Sequence, residues 1–470
     1  MKKNIFITCL AWLFLSVSAF AHIDVVYPKV SEVTVNASSV FFLGNTTENA
    51  DFSINGEKVE LWDSNFFVHV IPLKYGKNII KMVSIKNGVK EQKIYTVTRP
   101  KPVYGKGSEK EPYQPKKANY TLYTKTVKEN ATIREKPSTS AQRVIDIPEN
   151  VVLYLDGKQG EYYKIDENGE TQYWVHKSNV KDPVNVSKRI PALLKRVRTS
   201  SDKHYEYIKF SLNYPVLYNL KQEGNSIELT LFGVETTDEN GNKKPNYKYT
   251  YTQDYPIMGY DASYEDGSLV LRIAKTPEVK DLAYPLKDIT IFIDPGHGGV
   301  ENGAIGPTRT SEKDINLAIS RYLMKYLEDE GADVIISRTD DRQIGLYDRV
   351  KMAKEHNAYI SLSIHNNALP NGKNPYVQHG TEVHYYNENA KLLSEIIQAD
   401  MVRNLNFKDN GIHKSSFALN RSTNPVSVLI ECAYMIHPQE YMRLRNPAVQ
   451  RQIAQSIKNS LKKYVIVMQK

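Results

Sequence analysis

The chain has 470 residues, 41% hydrophobic and 24% charged, a balance too apolar for a mainly disordered polymer and long enough for roughly three domains of about 150 residues. Its 24 Gly and 22 Pro exclude a collagen-like or elastic fibre. A formal net charge of +9 is a mild basic excess, not the dense Lys/Arg stripe of a nucleic-acid binder, so no nucleic-acid partner is expected.

Residues 1–21 read as an export signal: Lys2 and Lys3, an apolar run from Ile5 to Val17, then Ala19-Phe20-Ala21 as a small-x-small cleavage site. The run is short for a membrane anchor, and Cys9 within it lacks a convincing lipobox. Cleavage leaves His22 first, lowers the charge from +9 to +7 by removing the two lysines, and leaves Cys432 as the single cysteine. No intramolecular disulfide is then possible, so packing alone holds the exported domains together. No later segment is apolar enough to span a membrane.

Residues 22–100 alternate with period two (Val33, Val35, Phe41, Leu43, Phe52, Ile54), punctuated by Asn55-Gly56 and Asn87-Gly88 as hairpin turns. The rhythm resembles an immunoglobulin-like β-sandwich, acting as a spacer or in wall binding. Residues 101–118, rich in Pro, Gly, Lys and Glu, read as a linker. Residues 119–182 carry "ATIREKPSTS" (131–140), "YYKI" (162–165) and Tyr173-Trp174-Val175-His176. This order resembles a bacterial SH3 module, which implies contact with wall peptides; Tyr173 stands where such modules usually have glycine. Residues 183–286 alternate at 207–212, 227–231 and 269–273 and form a third β-rich stretch, vaguely similar to modules that direct wall amidases to septa.

From 287 to 470 the rhythm changes to strands alternating with helices. Strands are expected at 289–293, 334–336, 359–364, 381–386 and 426–430, with helices after 312, at 347–355, at 390–404, and in a last stripe through Val449, Ile453, Ile457, Leu461 and Val465. This predicts a multidomain chain: three β-rich modules, then an α/β domain with a mostly parallel sheet flanked by helices. In such sheets functional groups collect at the strands' C-terminal ends. Those ends carry Asp294-Pro295-Gly296-His297-Gly298-Gly299, Ser363-Ile364-His365-Asn366-Asn367 and Leu429-Ile430-Glu431-Cys432, while Ser311-Glu312-Lys313-Asp314 opens a helix. The glycines fit no GxGxxG or Walker string and read as a tight turn exposing His297. Singly, Glu312 is explained by a helix N-terminus capped by Ser311 with Asp314, and His365 by a hydrogen-bonded strand end. Glu431, directly after the apolar Val428-Leu429-Ile430, needs a partner or a job.

Together the strings "IDPGHGG", "SEKDINLAIS", "SRTDD", "YISLSIHNNA", "GTEVHYY" and "PVSVLIECAYMIHPQEYMRL" resemble, in family order over 287–467, the catalytic domain of zinc-dependent N-acetylmuramoyl-L-alanine amidases of the amidase type 3 family. The resemblance implies that His297, Glu312 and His365 ligate Zn2+ and that Glu431 is the catalytic carboxylate. It implies hydrolysis of the amide between the lactyl group of N-acetylmuramic acid and L-alanine in peptidoglycan, for wall remodelling or daughter-cell separation, in the periplasm or cell wall. The N-terminal β modules would meet a wall or septal protein. Cys432-Ala433 departs from a common Leu-Gly and reads as packing. His356, His379, His384, His413 and His437 match no ligand position, and Asp294 and Asn367 are candidates for orienting ligands or substrate. Ala368 to His379 is short and holds Pro370, Gly372 and Pro375, so it cannot form the inhibitory helix some members place there. A chain beginning near Leu286 is accordingly expected to work about as well as the full one. Alternatives are a thiol peptidase using Cys432, another wall-acting metallopeptidase, or a non-catalytic wall-binding protein.

Overall fold

Alternating apolar residues build two facing sheets at the N-terminus. Strands 23–27, 39–46 and 66–72 form one, and 32–34, 51–54, 57–58, 76–86 and 89–99 the other. Phe42, Phe52, Phe67, Met82 and Val97 fill the space between them. Asn55 and Asn87 take φ of 54° and 52° at the hairpin turns, the left-handed geometry that asparagine tolerates. The structure, a computed structural model, describes residues 20–102, 111–117, 121–166, 172–237 and 240–469. The expected signal lies outside these except for Phe20 and Ala21, and part of the expected linker is outside as well. No helix among the described residues is long and apolar enough to cross a membrane.

Residues 121–186 form a mostly antiparallel sheet ordered 143–147, 131–134, 173–176, 162–165, 152–159, 121–125, 184–186. Residues 194–274 form two further sheets. One apolar core runs across both stretches, from Ala131 and Leu153 to Leu229 and Ile273, with Tyr173 edge-on to Phe232 at 5.6 Å. Alternation marks where strands lie but not which sheets share a core.

The C-terminal domain has strands β1 (Thr290–Pro295), β2 (Asp333–Ile336), β3 (Ile360–Asn367), β4 (Thr381–Tyr385), β5 (Asp409–Lys414) and β6 (Val426–Tyr434). Its helices are α1 (Glu312–Asp329), α2 (Leu346–Glu355), α3 (Lys391–Leu405), α4 (Pro438–Arg445) and α5 (Pro447–Val467). The sheet order is β2-β1-β3-β6-β4-β5. It is mixed, not wholly parallel: β4 runs antiparallel to β6, and the other four pairings are parallel. β6, central and covered on both faces, needs the near-continuous apolar run the sequence supplies. On one face Ile293, Leu362 and Ile430 pack against Ile319 and Leu323 of α1 and Ile457 and Leu461 of α5. The other face is polar, with Asp294, Ser363, His365, Glu382 and Glu431.

The N-terminal sandwich is fastened to this domain. Val26, Phe41, Leu43 and Val68 pack on Leu369, Tyr434 and Ile436, and Phe66 meets Tyr441 edge-on at 5.5 Å. Asp24 receives two 2.6 Å bonds from Arg309, and Val68 O accepts from Tyr376 Oη at 2.7 Å. These contacts grip the loop before Glu312 and the loop after His365, the latter free of helix as expected. Starting the chain near Leu286 would uncover this apolar patch and remove these contacts from both loops, which argues against the expectation that such a chain works about as well as the full one.

Candidate metal centre and active site

β1 ends at Pro295 and the chain must turn sharply to present His297. His297 has φ of 61°, and Gly298 and Gly299 have 137° and 59°, conformations costly for most side chains but open to glycine and tolerated by histidine. A Cβ on Gly296 would overlap the His365 ring, and one on Gly303 would strike Glu312 and His297. Both glycines are therefore required by close approach. Two buried arginines pin the turn. Arg349 of α2 bonds Asp294 Oδ1 at 2.6 Å, Pro295 O at 2.8 Å and His297 O at 2.8 Å. Arg338 bonds Pro295 O at 3.1 Å and Gly296 O at 2.9 Å. Sequence reasoning suggested Asp294 as an orienting group but missed both arginines. The signal was an arginine after a strand in "SRTDD" and another on an otherwise amphipathic helix.

Glu312 opens α1, yet it does not serve a helix cap. Ser311 stands at the N-cap position without a side-chain cap bond, and Glu312 turns inward instead. Its Oε2 lies 3.2 Å from His297 Nε2 and its Oε1 3.0 Å from His365 Nδ1. Ala304 N–H, Asn366 N–H and Asn316 Nδ2 donate to the same carboxylate at 2.8, 3.1 and 3.1 Å. Asn316, four residues on and one turn along the same face, is a further group the sequence reading missed. Burial opposes ionisation of Glu312, but the hydrogen bonds from His297 and His365 overcome it and hold its carboxyl well below the usual range. The bond to Glu312 in turn raises His297 above an ordinary imidazole.

β3 and β6 run in parallel register with His365 opposite Glu431, and Glu431 is also opposite Glu382 on β4. Directly opposed residues project to the same face. Three carboxylates, Glu312, Glu382 and Glu431, thus gather in one buried corner, and no Lys or Arg forms an ion pair with any of them among the described residues. Burial, then the charges of Glu312 and Glu382, push Glu431 well above the usual carboxylate range. Glu431 Oε2 and His365 Nε2 are buried without a hydrogen-bond partner, which is costly unless a ligand satisfies them. Ligand atoms of His297, Glu312 and His365 lie within 4.8 Å of one another. Two imidazoles and a carboxylate are a zinc donor set, and the 3.2 Å His297–Glu312 separation is close to the edge, about 3.3 Å, of a tetrahedron with bonds of about 2.0 Å. The residues present fit the ion.

The remaining histidines have other occupations. Glu382 bonds His384 Nε2 at 3.3 Å and Tyr434 Oη at 3.3 Å, and also accepts from Asn367 and Asn410. His379 Nδ1 bonds Glu440 Oε1 at 2.7 Å and its ring stacks on His437 at 3.9 Å and 7°. Nearly parallel rings point their lone pairs along separate planes, so one ion cannot lie in both. Glu440 Oε2 meanwhile holds Tyr434 N–H at 2.8 Å. This second cluster fastens the end of β6 to α4. Burial, with His379 and Lys408 adding to it, pushes His437 down to about 4. Cys432 is buried, and burial raises its thiol far above the range of a thiolate nucleophile.

Residues 291–463 match the N-acetylmuramoyl-L-alanine amidase family model. YqiI of Bacillus subtilis, an uncharacterized protein, is 34% identical over 185 residues, covering 39% of this chain and 87% of the relative. The N-acetylmuramoyl-L-alanine amidase LytC of Bacillus subtilis is 33% identical over 201 residues, 41% of this chain and 40% of LytC. The crystal structure of an N-acetylmuramoyl-L-alanine amidase from Clostridium difficile 630 matches at 34% identity and a TM-score of 0.37, over 38% of this chain and 98% of that one. The chain spans only 40% of the length of LytC. The chain belongs, through its C-terminal domain, to the N-acetylmuramoyl-L-alanine amidase family.

Proposed function

We propose that the protein is an exported zinc amidase that hydrolyses the amide between the lactyl group of N-acetylmuramic acid and L-alanine in peptidoglycan. His297, Glu312 and His365 would hold the ion, and Glu431 would move the proton. The observation that carries this reading is the convergence of three ligand-type side chains beside Glu431, with a ring nitrogen of His365 and an oxygen of Glu431 buried and unpartnered. Zinc bound there supplies Lewis-acid chemistry, lowering the pKa of water to about 7 and stabilising negative charge on the attacked carbonyl. Glu431 takes a proton from the attacking water as the C–O bond forms. It then delivers that proton to the alanine nitrogen as the C–N bond breaks, leaving a lactyl carboxylic acid and a free amine. Arg338 and Arg349 keep the His297 turn rigid while this happens, and Asn316 fixes the Glu312 carboxylate.

Export rests on the 1–21 signal; the first strand begins at Ile23, just beyond the proposed cleavage point. In our domain assignment, 22–100, 119–182 and 183–286 are β modules placing the 287–470 domain on the wall, with 119–182 SH3-like. Incubating the purified mature chain with peptidoglycan tests the chemistry. Mass spectrometry is expected to find released peptides headed by free L-alanine, a chelator to stop the release, and added zinc to restore it. Cleavage at any other bond, or release unaffected by the chelator, would contradict the proposal.

A further inference from the structure

The N-terminal sandwich reaches the metal centre through one short arm of chain. Between Gly303 and Ser311 the backbone closes on itself. Ile305 bridges Ser311, Gly306 N–H donates to Thr310 O, and Arg309 N–H donates to Gly306 O, the last two at 2.9 Å. The base of this arm holds Glu312 at two points. Glu312 N–H donates to Ala304 O at 2.8 Å, and Ala304 N–H returns a 2.8 Å bond to Glu312 Oε2. That oxygen is the one facing His297 Nε2 at 3.2 Å. Ala304 therefore fixes both the start of α1 and the direction of the carboxylate, and a displacement of the arm carries the carboxylate with it.

The tip of the arm is clasped from the sandwich. Asp24, on strand 23–27, accepts from Arg309 Nε and Nη2, both at 2.6 Å, the two-pronged geometry that makes an Arg–carboxylate pair directional. Asn45, on strand 39–46, ties the pair to the backbone: its Nδ2 donates to Asp24 Oδ2 and to Pro307 O, each at 3.1 Å. Arg309 takes φ of 65°, a conformation uncommon outside glycine, so the turn depends on its bonds to stay closed. The C-terminal domain's own grip is Tyr441 Oη, 2.5 Å from Thr308 Oγ1, and Phe66 of the sandwich backs that ring edge-on. We infer that Asp24 and Asn45 are positioning residues for the metal centre: by clamping Pro307 and Arg309 they hold Ala304 against the Glu312 carboxylate. The sandwich is then a working part of the C-terminal domain's site and not only a spacer or a wall-binding module. This rests on the reading of Glu312 as a ligand of the ion and adds the device that aims it. Bonds of this outer kind set metal affinity by about 10–100-fold. Arg309 is 62% exposed, so water shares its hold and the low end of that range applies.

The test is zinc affinity of the full mature chain, measured by competition with a chromophoric chelator, for Asp24→Ala, Arg309→Ala and the two together. Each single variant is expected to bind zinc about 10-fold more weakly. The double variant is expected to lose no more than either single one, because all three remove the same clasp. Asp51→Ala removes an exposed acid on the sandwich's other sheet, paired only with Lys58 at 3.9 Å, and is expected to stay within about 2-fold of wild type. Unchanged affinity in the single variants, a multiplied loss of about 100-fold in the double one, or an equal loss in Asp51→Ala would overturn the inference. Hydrogen exchange followed by mass spectrometry reads the arm without the ion. Peptides covering 302–312 of the zinc-free chain are expected to exchange about 10-fold faster in Asp24→Ala, and unchanged exchange would also overturn it. Should wild type and variants show these differences while no L-alanine-headed peptide is released from peptidoglycan, the amidase reading fails and the clasp stands. Should wild type release such peptides while Asp24→Ala keeps full zinc affinity, the clasp fails and the amidase reading stands.

Discussion

Glu431→Gln is expected to lower kcat on soluble muropeptides by about 10²–10⁴-fold while leaving bound zinc in place. The amide keeps the size and shape of the carboxyl group, so β6 packs as before and the register with His365 is unchanged. What disappears is the ability to take a proton. Glu431 is suited to that task because burial and the neighbouring Glu312 and Glu382 charges raise its proton affinity, so it can accept a proton at pH values where an ordinary carboxylate would not. The three ligand candidates are on β3, on α1 and in the turn after β1, and none of them depends on the charge of Glu431. Zinc content by atomic spectrometry and kcat from product release check both halves. Turnover within a few-fold of wild type would remove Glu431 from the reaction.

Arg349→Met is expected to destabilise the C-terminal domain by about 3–5 kcal/mol, because it strands Asp294 as a buried carboxylate. Asp294 would keep only Ser337 and Ser363 as partners, at 2.6 and 3.0 Å. Pro295 O and His297 O would lose their shared donor, so the His297 turn should loosen as well. At roughly 2–4 °C per kcal/mol for a domain of this size, the melting temperature should fall by about 6–20 °C. Differential scanning calorimetry measures this. Removing Asp294 as well, in an Asp294→Leu/Arg349→Met chain, should cost less than Arg349→Met alone predicts for two lost partners, since the pair then vanishes together. A melting temperature unmoved by Arg349→Met would mean that the ion pair does not brace the turn.

The parts of the site that could be read from the sequence are those that local chemistry exposes. His297 stands out because its glycine-rich turn follows an apolar strand, and Glu431 because a carboxylate ends an apolar run. β6 extends past Ile430 to Tyr434 and β3 to Asn367, so Glu431 and His365 lie within strands and not after them, which is why their register is a guide to their shared face. Glu312 shows the limit of local reasoning. The sequence around it satisfies a helix start, yet the side chain serves two histidines that arrive from elsewhere in the fold. Glu382 was invisible for a related reason: a single acid between Thr381 and Val383 looks like ordinary strand alternation until β4 is placed beside β6. The docking of the N-terminal sandwich was beyond any window on the sequence, since Arg309 and Asp24 are 285 residues apart. The single core beneath the two middle β stretches likewise depends on which sheets meet, and alternation says nothing about that.

The most direct test of the zinc centre is the metal content of four chains purified with zinc: wild type, His365→Ala, Glu312→Ala, and His379→Ala/His437→Ala. The account expects one zinc per chain in the wild type and in the His379/His437 variant, and none in the other two. Zinc retained at one per chain after loss of His365 or Glu312, or lost with the stacked pair, would place the ion elsewhere and contradict the account.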